Sequence, residues 1–336
     1  MPSGRRTKHL AHGKKVIAIV YYFCDKFAIN ISARYHKVMK KILLTLIVAI
    51  LAIAGIWYLA VRNNTPQTSG DKLNVTATYY PLAEFARTIG GDAVSVKNLV
   101  PTGTEPHDYE PSPKTIADLS NTPIFIYNGA TFEPWTDDFL KDYKGTIVKA
   151  STNVDTIKDG SVIDPHFWLD PVDAQIIVEN IRQALVKQSP QNEAIFTANA
   201  KKLTDDLKQL DKEYTDGLAQ CKSRIVIASH DAFTYLARRY DFTVEPIAGI
   251  SPEVEPTPRR LAELSQLVRS KNIHYIFMES LASPRLAATI ATETGAKTLV
   301  FNPIEGLTEE DEKTGKNYLS IQRDNLANLK TALACK

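Results

Sequence analysis

The stretch LNVTATYYPLAEFARTIGGDAVSVKNLV, residues 73–100, decides the fold class of this chain. It begins with a short run rich in β-branched residues and continues with apolar residues at helical spacing. A Gly90-Gly91 turn and a second alternating run complete it. This order predicts a strand, a helix and another strand, which is the start of a parallel βαβ unit.

The same alternation of strands and helices continues on both sides of a long helical region. Between residues 171 and 218 there is only helical periodicity, with many opposite charges four residues apart. We therefore predict an α/β fold with an N-terminal lobe at 73–190, a linking helix at 191–218 and a C-terminal lobe at 219–336. Further strands are predicted at Ile124–Tyr127, Thr146–Val148, Arg224–Ala228, Tyr275–Met278 and Thr298–Phe301.

The N-terminal region contains an uncharged apolar run from Ile42 to Val61, flanked by Lys40, Lys41 and Arg62. A helix of this length can cross a bilayer, and the run is longer than the roughly 7–15 apolar residues of a cleavable signal. We predict a membrane anchor or signal at 39–62, an uncleaved anchor being favoured, followed by a polar tether at 63–72. Residues 1–38 are interpreted as a cytoplasmic leader or as sequence upstream of the true start.

The positive charge of the chain is concentrated before the tether. Residues 1–38 hold eight basic side chains and one acidic, and the three flanking cations of the apolar run add to this excess. The whole chain has a net charge of +2, so the part after residue 62 has a net charge of −8. Basic residues favour the cytoplasmic side, so the rest is predicted to be extracytoplasmic. An acidic exported part argues against nucleic-acid binding.

Two of the three cysteines lie in the predicted exported part, Cys221 and Cys335. Disulfides form readily in oxidising compartments, so the preferred interpretation is a disulfide that ties down the C-terminus. Two buried free thiols are the alternative.

Three histidines follow predicted strands or lie in loops close after them: His107, His166 and His230. The carboxyl ends of parallel strands face the crevice in which α/β proteins bind ligands. Three imidazoles there favour Zn²⁺ over Ca²⁺ or Mg²⁺. By contrast, His274 begins a predicted strand and is interpreted as structural.

Several segments together resemble one protein family. The segments are GTEPHDYEPSP, IYNGATFEPW, DPHFWLDP, ASHDAFTYLARRYDF, GISPEVEPTPRRLAEL and ATETGAKTLVFNPIEGLT. In this order, over about residues 73–335, the chain resembles the zinc- and manganese-binding solute receptors of bacterial metal ABC transporters. The resemblance implies two α/β lobes joined by one rigid long helix, with a metal site at the lobe interface. Many relatives are lipoproteins with a Cys just after the apolar segment; this chain has none there, so the anchor is expected to be a helix.

The fourth metal ligand is assigned through this resemblance. Manganese-type relatives end the last strand with a ligating Asp, and the matching residue here is Asn302. Zinc-type relatives have a Pro-x-Glu whose Glu is a ligand, and Glu305 matches it. Three histidines and one carboxylate favour Zn²⁺, with Mn²⁺ as the alternative. Glu279, after a predicted strand, is the rival to Glu305.

Carboxylates close in sequence to the histidines are candidates to hold the far ring nitrogens, which fixes the tautomer of a metal-binding imidazole. These residues are Asp108, Asp164, Asp170 and Asp231.

The predicted function is a high-affinity zinc receptor that delivers Zn²⁺ to an ABC permease and its ATPase, as a monomer without enzymatic activity. One alternative is a membrane-anchored zinc hydrolase with three histidine ligands and Glu305 as the base. No H-E-x-x-H or G-x-S-x-G motif supports that alternative. A manganese receptor of the same family and a surface adhesin are the others.

Overall fold

The computed structural model describes residues 39–40, 44–47, 49–53, 55, 72–160 and 162–336. The chain divides into two units, Met1–Gln67 and Thr68–Lys336. In the first unit the described residues are helical, and apolar side chains such as Leu44 and Leu51 are exposed. Among the described residues, no helix is both long and apolar enough to cross a membrane. The leader, half of the predicted anchor and all of the predicted tether except Lys72 lie outside the described residues.

The second unit begins with a parallel four-stranded sheet in the order β2-β1-β3-β4. Helices α1 to α4 and a short antiparallel hairpin, β5-β6, accompany it. The bounds are β1 (Leu73–Ala77), α1 (Tyr80–Gly90), β2 (Val94–Asn98), α2 (Pro113–Leu119), β3 (Ile124–Tyr127), α3 (Thr136–Asp142), β4 (Thr146–Lys149), β5 (Lys158–Asp159), β6 (Val162–Ile163) and α4 (Pro171–Gln188).

A second parallel four-stranded sheet follows the long helix α5 and has the order β10-β9-β7-β8. The bounds are α5 (Glu193–Leu218), β7 (Ile225–Ala228), α6 (Thr234–Tyr240), β8 (Thr243–Pro246), α7 (Pro258–Lys271), β9 (Tyr275–Met278), α8 (Arg285–Thr294), β10 (Lys297–Val300), α9 (Glu309–Lys313) and α10 (Tyr318–Ala332). The predicted fold class, two lobes with parallel sheets and flanking helices, is confirmed.

The first helix shows how the sequence positions these elements. Pro81 lies in the first turn of α1, where its missing N–H is not needed. The helix ends at Gly90, and the capping residue Gly91 has a φ of 53°, which favours glycine. Its apolar face, which includes Phe85 and Ile89, is fully buried. A Cβ on Gly90 would lie 2.2 Å from the Val94 side chain, so helix and strand approach each other closely.

The long helix α5 contacts helices of both lobes. Its buried residues recur every three or four positions, from Phe196 to Leu218. The N-terminal half packs on α1 and α4, where Asn199 donates to the carbonyl of Ile89. The C-terminal half packs on α10, where the Tyr214 hydroxyl donates to the carbonyl of Gln322 at 2.8 Å. A linking helix is therefore present, whereas the exact lobe boundaries and the rigidity of the helix stay predictions.

Cys221 and Cys335 form a disulfide, which confirms the preferred interpretation. The two residues also pair as an isolated β-bridge, and Lys336 donates its backbone N–H to the carbonyl of Gln220. The C-terminus is thus fixed at the end of α5, before the first strand of the second sheet.

Candidate metal centre

Four side chains converge between the carboxyl ends of the two sheets: His107, His166, His230 and Glu305. One ligand atom from each lies within 4.8 Å of all the others. His230 lies two residues after β7, and Glu305 lies in the loop after β10. His107 lies in a 3-10 turn after β2, and His166 lies just before the 3-10 turn Phe167–Leu169. The parallel sheets therefore bring together loops that are far apart in sequence.

Five of the six distances between the four ligand atoms lie between 3.3 and 3.5 Å. His166 Nε2 lies 3.3 Å from both His107 Nε2 and His230 Nε2. Glu305 Oε1 lies 3.3 Å from His107 Nε2 and from His166 Nε2, and 3.5 Å from His230 Nε2. A tetrahedral Zn²⁺ ion with bonds of about 2.0–2.1 Å separates its ligand atoms by roughly 3.3–3.4 Å. The four side chains present thus fit this ion.

The site is buried, but not equally on all sides. His166 and His230 are fully buried, and the Glu305 side chain is 1% exposed. The His107 side chain is 9% exposed. Access from solvent is therefore on the side of His107.

Carboxylates hold the far ring nitrogens of two of the histidines. Asp164 Oδ1 lies 2.8 Å from His166 Nδ1 and also accepts the backbone N–H of His166. Glu279 Oε1 lies 2.6 Å from His230 Nδ1. Both contacts leave the Nε2 atoms directed at the centre of the cluster. Glu279, the rival for the fourth ligand position, thus lies behind His230, and Glu305 lies among the ring nitrogens.

The other three carboxylates proposed for this role lie elsewhere, because closeness in sequence does not fix the direction of a side chain. Asp108 is exposed. Asp170 accepts the backbone N–H of Val172 at the start of α4 and forms an ion pair with Arg239. Asp231 accepts the hydroxyl of Thr234. The contact between Glu279 and His230 was not predicted from the sequence. Its signal was the position of the two residues, since Glu279 follows β9 much as His230 follows β7.

His107 is held by an aromatic ring. Phe132 packs edge-on against His107, with the ring centroids 4.8 Å apart. The loop that carries Phe132 contains Ala130 and Thr131 at positive φ, a conformation that costs non-glycine residues about 1–2 kcal/mol each. Buried Glu133 stabilises this loop by accepting the backbone N–H groups of Asn128 and Gly129. Burial raises the pKa of Glu133 to about 7, although these hydrogen bonds favour the carboxylate.

Without metal, the histidines differ in how readily they hold a proton. Burial lowers the pKa of His107, although Glu305 opposes this change. Burial also disfavours charge on His166, but Asp164 and Glu305 outweigh it and raise the pKa. For His230, Glu279 and Glu305 outweigh burial and raise the pKa well above its ordinary value. Despite burial, the three histidines hold the pKa of Glu305 well below its usual range.

Outside this cluster, His274 is exposed at the start of β9, and its Nε2 lies 3.3 Å from the side-chain nitrogen of Asn272. Asn302, at the end of the last strand, donates to Ser280 and accepts the backbone N–H of Ile304. Neither belongs to the group of possible ligands.

The comparison with protein families gives one family for most of the chain. Residues 75–332 match the model for ZnuA, described as zinc-uptake complex component A, periplasmic. The chain belongs to this family.

Other members of the ZnuA family have similar sequences. The zinc-binding lipoprotein AdcA of Streptococcus pneumoniae is 39% identical over 310 residues, which cover 87% of this chain and 61% of that protein. The high-affinity zinc uptake system protein ZnuA of Bacillus subtilis is 37% identical over 287 residues, which cover 80% of this chain and 90% of that protein. This chain thus matches only about three-fifths of the length of AdcA.

A solved structure from the ZnuA family supports the fold. The Zn(II)-bound ZnuA-like domain of Streptococcus pneumoniae AdcA aligns with a TM-score of 0.71 at 41% identity. The alignment covers 78% of this chain and 99% of that domain.

Proposed function

We propose that this chain is an extracytoplasmic receptor that captures Zn²⁺ with His107, His166, His230 and Glu305. The observation that supports this proposal is the convergence of three histidine nitrogens and one carboxylate oxygen, three of the four residues buried, at distances that suit a tetrahedral zinc ion. Relatives named for zinc binding and zinc uptake support the same metal and the same role. The receptor delivers the ion, as a monomer, to an ABC permease and its ATPase, and the apolar segment at 39–62 holds it at the membrane.

The donor set favours Zn²⁺ over Mn²⁺. Three imidazole nitrogens and one carboxylate suit zinc, whereas manganese prefers more oxygen donors. The possible extra oxygen donor, Asn302, is engaged with Ser280 and the backbone of Ile304. The site therefore offers manganese no further side-chain oxygen from the last strand.

The arrangement also favours binding over hydrolysis. A catalytic zinc keeps one position open for water beside three protein ligands. Here Glu305 Oε1 occupies the fourth corner, within 3.5 Å of each histidine nitrogen. We therefore propose that the protein carries the ion without catalysing a reaction.

Calorimetric titration of the metal-free full chain, purified in detergent because of its apolar segment, tests the proposal. We expect tight one-to-one binding of Zn²⁺ and weaker binding of Mn²⁺. Glu305→Ala and His230→Ala should each weaken zinc binding at least a hundredfold without unfolding the protein. Glu310→Ala, which removes an exposed carboxylate from nearby α9, is the matched control. Preference for Mn²⁺, or zinc binding that does not depend on Glu305, contradicts the assignment.

Delivery is tested by growth. In a bacterium whose own zinc receptor is deleted but whose matching permease is present, the wild-type chain should restore growth in zinc-depleted medium. The Glu305→Ala variant should not, whereas growth with both chains would exclude a role of this site in uptake.

A further inference from the structure

The contact between Glu279 and His230 lies behind the proposed zinc site. Glu279 Oε1 is 2.6 Å from His230 Nδ1, and the two side chains are 2% and 0% exposed. Their positions follow from the second sheet, in which β7 and β9 are parallel neighbours with Ile227 opposite Ile276. The carboxyl ends of both strands therefore lie side by side, so that His230 and Glu279, which follow them, meet there.

The other oxygen of Glu279 has no hydrogen-bond partner, although it is buried. An unpaired buried acceptor costs about 1–3 kcal/mol, so the fold gains little from this oxygen. The Glu279 side chain makes its hydrogen bond with His230, so its placement is explained by what it does to that ring.

We infer that Glu279 is a positioning residue that tunes zinc affinity and the preference for zinc over manganese through His230. This inference rests on the proposed function of the site. A carboxylate that accepts Nδ1–H fixes the tautomer with a free Nε2 lone pair and increases the basicity of that nitrogen. More basic nitrogen donors favour Zn²⁺ more than Mn²⁺.

Charge within the site leads to the same conclusion. Three neutral imidazoles and the Glu305 carboxylate carry one negative charge, so bound Zn²⁺ would leave one positive charge in a buried place. The carboxylate of Glu279, which lies on the far side of the His230 ring, helps to stabilise this positive charge. Asp164 has the same relation to His166. In the described part of the chain, no carboxylate contacts His107 Nδ1, so only two of the three rings are tuned in this way.

The test compares Glu279→Gln with the wild-type full chain in detergent. The glutamine side chain can still accept Nδ1–H through its oxygen, so it removes the charge and keeps the geometry. Zinc and manganese affinities are measured by competition with a fluorescent chelator. We expect zinc affinity to fall roughly 10–100-fold and manganese affinity to fall less. Glu253→Gln, an exposed site in the same lobe, is the control for charge and should leave both affinities unchanged.

Two further measurements separate positioning from other roles. The visible absorption of bound Co²⁺ should keep its tetrahedral shape in Glu279→Gln; a changed shape means that Glu279 is itself a ligand and overturns the inference. Thermal unfolding of the metal-free protein detects a purely structural role. If Glu279→Gln lowers the unfolding temperature but leaves zinc affinity unchanged, the inference is wrong, while tight zinc binding by the wild type still upholds the proposed function.

Discussion

Phe132 is the residue that distinguishes His107 from the other two histidines. Carboxylates hold the rings of His166 and His230 by hydrogen bonds, whereas the ring of His107 rests edge-on against Phe132. His107 is also the most exposed of the four proposed ligands. We therefore expect zinc release to begin with movement of the His107 side chain.

Replacement of Phe132 by leucine should speed the release of zinc. Phe132→Leu keeps most of the buried volume but loses an aromatic contact of about 0.5–1.5 kcal/mol, so the off-rate should rise roughly 2–12-fold. Stopped-flow transfer of zinc to a chelator measures this rate. Phe139→Leu, in a separate core cluster of the first lobe, is the control. An equal effect of both changes would indicate general loosening and contradict the role of Phe132.

Zinc affinity should already fall as the pH is lowered through values above the ordinary pKa of histidine. Zn²⁺ binds only the deprotonated Nε2 atoms, and the pKa values of His166 and His230 in the metal-free site are raised. Lowering the pH through these raised values therefore adds protons that zinc must displace. Each displaced proton weakens apparent binding roughly tenfold per pH unit. Competition titrations at pH 8, 7 and 6 measure the effect, and constant affinity between pH 8 and 6 would contradict it.

Among the elements, the end of α5 and the end of α10 are joined by the disulfide between Cys221 and Cys335. Cys221 precedes strand β7 and His230 follows it, so the disulfide and the metal site lie at opposite ends of this strand. The disulfide is therefore expected to contribute to stability and not to metal binding.

The double variant Cys221→Ser/Cys335→Ser should have a free energy of unfolding lower by about 2–5 kcal/mol, because the unfolded chain is no longer cross-linked. Zinc affinity should be unchanged. Chemical denaturation of the metal-free protein and a zinc titration check the two expectations. The reduced wild-type chain is the control, and it should show the same loss. Weaker zinc binding by the variant than by the oxidised wild type would contradict this separation.

Elements with a strong pattern were predictable from the sequence, and elements held in place by neighbours were not. The apolar runs at Ile124–Tyr127 and Tyr275–Met278 are strands with the predicted bounds. Strand β8 was not predicted, because Thr243–Pro246 contains a charged residue, Glu245, and a proline. A sheet tolerates proline mainly in an edge strand, and β8 is an edge strand of the second sheet. The hairpin β5-β6 was missed because each of its strands has only two residues.

At the candidate site, residue type and position were predictable, but direction was not. Strand ends indicate where His107, His166 and His230 lie, and the family resemblance indicates Glu305. Which carboxylate faces which ring depends on the packing of loops, so Asp164 was correctly placed and Glu279 was missed as a partner of His230.

On the scale of the whole molecule, buried hydrogen bonds join the two lobes around the 3-10 turn Phe167–Leu169. The Trp168 indole donates to the carbonyl of Pro303 at 2.8 Å, and the Gln322 amide donates to the carbonyl of Leu169 at 2.9 Å. The Tyr235 hydroxyl donates to the carbonyl of Asp164 at 2.7 Å. Separation of the lobes would break all of these hydrogen bonds, so we expect zinc exchange to depend on loop motion.

Hydrogen exchange tests this expectation. Zinc should slow exchange strongly in loop 101–112, which carries His107 and in which half of the residues are exposed, and only weakly at residues 167–169. Mass spectrometry of the full chain in detergent, with and without zinc, measures both segments. The control is the Glu305→Ala chain, which is first stripped of metal and then mixed with the same amount of zinc. Large zinc-dependent changes at 167–169 would instead indicate opening of the whole interface.

The order of the proposed ligands along the chain also has a consequence for biosynthesis. They are spread from His107 to Glu305, which are 198 positions apart. During synthesis, His107, His166 and His230 are made before Glu305. A growing polypeptide that lacks Glu305 therefore has no complete site with which to trap zinc, and the proposed site can be loaded only after Glu305 has been made and the loops that carry the four ligands have folded together.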